Sequence, residues 1–143
     1  MSELCGTLGG MKLTLALPFT ITTWDGEADP APPDAPDLAA VRLAKTYAGP
    51  DVAATATGHA VTTRGDRGAS YVAQERIVGT AHGRTGSFVL EHGASMGESV
   101  PTELWARVVV GSGTGGFAGL TGTGLVEHEL VTLEIELPDA PAD

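Results

Sequence analysis

The sequence predicts an all-β chain folded as one small, eight-stranded antiparallel barrel. Apolar residues recur at every second position in several stretches, which is the strand period. Twenty glycines and nine prolines among 143 residues, with aromatics at only 5 %, describe many turns and few long helices. About eight such segments joined by short turns imply antiparallel neighbours, and closure into a barrel removes the edges on which other chains pair. The length suits one domain with one moderate core. The rival arrangement is a flattened sandwich whose interior is filled by side chains.

Taken in order, residues 1–10 contain Gly6, Gly9 and Gly10 with little apolar pattern and are expected to form a flexible tail. The barrel is placed at residues 11–138, with 139–143 as a second flexible tail. "MKLTLALPF", Met11 to Phe19, has a basic residue before an apolar run, but Pro18 and Thr20 interrupt it well short of a signal or spanning length. Leu13, Leu15, Leu17, Phe19 and Ile21 alternate instead, so this is the first strand, and Pro18 suggests an edge position or a bulge. "DGEADPAPPDAPD", Asp25 to Asp37, combines acids with four prolines and reads as a solvated loop and candidate lid. Seven more strands are expected at Leu38–Tyr47, Val52–Thr63, Ser70–Gly79, Gly86–His92, Pro101–Val110, Gly119–Glu127 and His128–Leu137. "AGPD", "RGDRG", "AHGRTG" and "GSGTGG" supply turn chemistry between them.

The formal charge of −10, from 8 Lys+Arg against 18 Asp+Glu, gives a surface field that repels phosphate backbones and anionic lipid head groups. Nucleic acid and membrane are therefore not expected as partners. The single cysteine, Cys5, has no intramolecular disulfide partner, which is compatible with a reducing cytoplasm. Outward-facing Val72, Val78 and Val89 suggest self-association into a homo-oligomer.

The chemistry concentrates in "YVAQERIVGTAHGRTGSFVLEH", Tyr71 to His92, a hairpin whose arms carry polar groups within apolar runs. Alternation puts Tyr71, Ala73, Glu75 and Ile77 on one face and Val72, Gln74, Arg76 and Val78 on the other. In the second arm Phe88, Leu90 and His92 share a face. If those faces line a barrel, Glu75 and His92 look into its interior. Enclosure beside Tyr71, Ile77 and Trp105 is then expected to raise the Glu75 pKa and suit it to general acid or base work. The competing readings are an outward ion pair or a held structural carboxylate for Glu75, and a capping or core role for His92.

Other motifs lose to simpler explanations. Gly111 to Gly116 satisfies G-x-G-x-x-G, but "FAGLTGTG" cannot sustain the helix a dinucleotide site requires, which leaves a tight β-turn or bulge. His59, His82 and His128 are scattered, and no metal or other cofactor is expected. No serine sits in a G-x-S-x-G elbow, so covalent hydrolysis has no candidate.

"AQERIVGTAHGRTGSFVLEHG", Ala73 to Gly93, with "VVVGSGTGGFAGLTGTG", Val108 to Gly124, resembles the bacterial family known as domain of unknown function 3224. That family in turn resembles the allene oxide cyclase barrels. The resemblance implies a small, often self-associating barrel; related barrels are cofactor-free cyclases or isomerases that shape a flexible, oily substrate with a buried polar group. Glu75, in "ERI", is the position matched to that group. The leading expectation is thus a barrel that binds a small hydrophobic molecule inside and cyclises or isomerises it without cofactor. Glu75 would be the acid, base or orienting group, His92 and Tyr71 its hydrogen-bonding helpers, and Trp105, Phe88, Gln74 and Leu90 ligand contacts. Replacing Glu75 by Gln is expected to abolish turnover and leave folding intact. A lipocalin-like binding protein and a solid-packed interaction protein are the alternatives.

Overall fold

The computed structural model describes residues 10–138, so the two expected tails, Gly10 apart, lie outside the described residues. The strands are β1 (Met11–Ala28), β2 (Asp37–Gly49), β3 (Val52–Arg64), β4 (Gly68–Ala81), β5 (Arg84–Gly97), β6 (Val100–Val108), β7 (Thr114–Gly115), β8 (Thr121–Glu127) and β9 (Leu130–Leu137). Eight of them close a ring in the order β1–β2–β3–β4–β5–β6–β8–β9 and back to β1, every pair antiparallel. The two-residue β7 lies beside β5 at Gly86 and Ser87. The eight expected strands are the ring.

Two details differ from the sequence reading. Asp25 to Ala28 is strand, paired with Arg42 to Ala39, because the prolines that remove amide donors begin only at Pro30. Pro18 is neither on an edge strand nor at the bulge, which falls between Ile21 and Thr23. It stands where β1 changes partner: residues 11–18 pair with β9 and residues from Phe19 onward pair with β2. A missing amide is tolerated at that handover because the ladder to β9 ends there.

The ring is closed along only part of its height. β9 covers β1 only as far as Pro18, and β6 meets β8 at two register pairs, Ala106 with Gly124 and Arg107 with Thr123. Beyond that level β1 to β6 continue as an open-mouthed curved sheet. The closed half is packed solid with Leu15, Leu17, Phe88, Leu90, Val131, Leu133, Ile135 and Leu137. Phe117 and Leu120, carried by the Gly-rich turn, plug its lower end, and Phe117 meets Phe88 edge-on at 5.2 Å between ring centroids. That turn uses Gly111 and Gly115 at positive φ, so "GSGTGG" shapes a plug where the dinucleotide motif would need a helix. Truncating the fully buried Leu133 to Ala should cost about 2–5 kcal/mol.

The inward row of β3 is Val52, Ala54, Ala56, Gly58, Ala60 and Thr62. Small residues there leave room above the sheet for long side chains from its neighbours β2 and β4. That space is where the polar residues gather.

Candidate functional site

On β2 the inward row is Val41, Leu43, Lys45 and Tyr47; on β4 it is Tyr71, Ala73, Glu75 and Ile77; on β5 it is Phe88, Leu90, His92 and Ala94. Glu75 is 1 % exposed and sits at the centre. Its Oε2 accepts from Lys45 Nζ at 2.7 Å and from His92 Nε2 at 2.7 Å, and its Oε1 accepts from the Tyr47 hydroxyl. His92 Nδ1 is 2.8 Å from the Tyr71 hydroxyl, with the two rings edge-on at 5.5 Å. The Lys45 ammonium also lies 4.1 Å from the centroid of Phe19, over its ring. The donors aimed at the carboxylate come from β2 and β5, so the curvature of the contiguous β2–β3–β4–β5 sheet assembles the cluster.

The electrostatics reverse one expectation. Burial does push the Glu75 carboxyl upward, but the hydrogen bond from His92, the charge and hydrogen bond of Lys45 and the Tyr47 hydroxyl together outweigh it. The net result is a carboxyl held below its usual range. Glu75 is therefore an ionised, fully partnered anion, and the expectation of a raised pKa suited to acid catalysis is corrected. Burial and the Glu75 charge push the Tyr71 phenol up to about 12, and burial with Glu75 pushes Tyr47 further upward still.

A pocket among the described residues lies at the open mouth, above this cluster, and does not surround Glu75. It measures about 610 Å³ and is lined by Trp24, Val41, Ala39, Ala94, Met96 and Tyr71 among others. Tyr71 thus belongs both to the buried network and to the pocket wall. Glu75 and His92 lie behind it. A smaller depression of about 290 Å³ on the outer face holds Arg42, His59 and Arg76, with Asp25 opposite Arg42 in the β1–β2 register.

The structure brings Tyr71, Glu75 and His92 together as the alternation predicts. It does not bring the four expected ligand contacts to the pocket. Phe88 and Leu90 are buried in the solid core of the closed ring. Gln74 is exposed on the outer face of β4. Trp105 also faces outward, under the Arg107 guanidinium at 5.2 Å, and covers Gly93, where a Cβ would sit 2.8 Å from its Nε1. Two members of the cluster were missed from the sequence: Lys45 was given no role, and Tyr47 was read only as an aromatic that could line an apolar pocket or fill the core. Their signal was present in "VRLAKTY", where a lysine shares the alternate row of Val41, Leu43 and Tyr47.

Residues 16–135 match the family described as "Protein of unknown function (DUF3224)". The chain belongs to that family. Among solved structures it is similar to a DUF3224-family protein of unknown function from Shewanella oneidensis MR-1, with 29 % identity, a TM-score of 0.73, and coverage of 92 % of this chain and 100 % of that one. No curated protein matches it. As a DUF3224 member it carries Tyr71, Glu75 and His92 within the matched span, and Lys45 and Tyr47 as well.

Proposed function

We propose that this DUF3224 protein binds a small, uncharged, mostly apolar molecule in the pocket at its open mouth, with Tyr71 as the polar anchor. The observation that carries this reading is the double role of Tyr71, which lines the pocket while its hydroxyl is fixed from behind by His92. A concave, largely apolar site with a small number of placed polar groups is the usual form of a small-molecule site, and about 610 Å³ is within the usual size; here Thr62, Thr63 and Ser70 join Tyr71 in the lining. Asp37 and Arg64, opposite one another in the β2–β3 register, bring one charge of each sign to the rim. The overall charge of −10 and the acids of Asp25 to Asp37 disfavour an anionic guest. The expected likeness in fold between the family and the allene oxide cyclase barrels is in keeping with a flexible, oily molecule, by fold analogy alone.

The test is a fluorescence titration with N-phenyl-1-naphthylamine, an uncharged apolar probe. Saturable binding that is weakened at least about tenfold by filling the pocket with Ala39→Phe supports the proposal. Absence of saturable binding overturns it.

A second reading, cofactor-free isomerisation, is favoured by the unbroken chain Tyr71–His92–Glu75, since a carboxylate, an imidazole and a hydroxyl in series can move a proton. In that reading Tyr71 with His92 exchanges the proton and Glu75 positions His92. Incubation with cell extract discriminates: a bound molecule recovered unchanged favours binding, and a converted one favours catalysis.

A further inference from the structure

We infer that the pocket selects guests carrying a hydrogen-bond donor, such as an alcohol or phenol on an apolar body, over ethers and ketones of the same shape. This rests on the binding reading above and adds the chemical class of the guest. The argument follows the protons through the buried cluster. An ionised carboxylate can only accept, so the hydrogen between His92 Nε2 and Glu75 Oε2 resides on Nε2. Lys45 Nζ is bonded to the same Oε2 and already balances the one negative charge of Glu75. A second proton on His92 would leave an uncompensated positive charge beside Lys45, Tyr47 and Glu75, which are 4 % exposed or less, with only Tyr71 partly exposed. The neutral imidazole completes the charge count, and with Nε2 protonated its Nδ1 is a bare acceptor.

Tyr71 then donates its only hydroxyl hydrogen to Nδ1 across 2.8 Å. Its oxygen keeps lone pairs and has no hydrogen left to give. Tyr71 is one of the polar residues lining the pocket, and the group it contributes there is an acceptor, fixed as such by a lysine on another strand that does not line the pocket. A guest hydroxyl satisfies that oxygen; a guest ether or carbonyl meets it lone pair to lone pair. The Lys45–Glu75–His92 arrangement thus acts as a positioning device for the hydrogen of Tyr71.

Two measurements test this on the full chain. The ring nitrogens of His92, assigned in a nitrogen-15 spectrum by their loss in His92→Asn, should show the neutral form protonated on Nε2 at neutral pH. A cation, or the form protonated on Nδ1, overturns the inference and leaves the binding reading standing. The second is a matched competition between 2-naphthol and 2-methoxynaphthalene, which share a ring system and differ in the donor. One net hydrogen bond predicts tighter binding of the naphthol by about threefold to tenfold. Equal affinities, or preference for the methoxy compound, overturn the inference alone. Failure of both naphthalenes to bind overturns it together with the binding proposal.

Discussion

Lys45 and His92 bind one and the same oxygen of Glu75, each at 2.7 Å, although they come from β2 and β5 on opposite sides of it. The carboxylate is therefore the tie between strands that do not pair with one another.

Glu75→Gln should destabilise the protein by about 3–5 kcal/mol, since it leaves the Lys45 ammonium buried without its counter-charge. The melting temperature should fall on the order of 10 °C. This replaces the expectation that the substitution spares folding. Adding Lys45→Met to Glu75→Gln should recover part of the loss, because the largest penalty comes from the unpaired charge. Urea denaturation of the single and double variants measures both effects.

Stability should decline at both ends of the pH scale for separate reasons. Glu75 has a folded pKa below its ordinary 4.5, so the unfolded chain binds the proton more readily. Its contribution is complete above 4.5 and is lost as pH falls through the lower folded value. Tyr71 has a folded pKa raised from 10.0 to about 12, so its contribution is complete below pH 10.0 and is lost as pH rises towards 12. Thermal melts across pH should show both flanks, and phenolate absorbance in the native state should lag behind that of the unfolded chain.

Gly58→Ala should be among the most damaging single changes on β3. Gly58 lies opposite Glu75 in the β3–β4 register, and a Cβ there would collide with the Gln74 carbonyl oxygen and the Glu75 Cα. The obstacle is backbone, which cannot rotate aside. A loss on the order of 2 kcal/mol or more is expected, read as a lower denaturation midpoint.

Pocket and outer wall should separate cleanly in binding. Ala39→Phe, at the mouth, should weaken probe binding at least about tenfold with stability within about 0.5–1 kcal/mol of the parent. Gln74→Ala, on the outer face, should leave affinity unchanged. Tyr71→Phe leaves His92 Nδ1 without its partner and should cost about 1 kcal/mol of stability. Probe titrations and melts on the three variants check these outcomes.

The sequence by itself determined the strands and which residues share a face. Alternation is a property of the local backbone, so Tyr71, Glu75 and His92 were legible as one inward row and its neighbour before any tertiary contact was known. The facing of β6 was legible too, because Arg107 shares the alternate row of Trp105 while the other row, Ala106 and Val108, is apolar and buried; placing Trp105 beside Glu75 overlooked that arginine. Tertiary structure alone decided that Lys45 reaches Glu75 across the alanine and glycine row of β3, and hence that the carboxyl is held low. It also decided that the hollow opens at the mouth, where β9 stops at Pro18, while the closed half fills with leucine and phenylalanine. Those outcomes depend on where a ring closes and on how strongly the sheet curves between β2 and β5, and neither quantity is written in the period of any one strand.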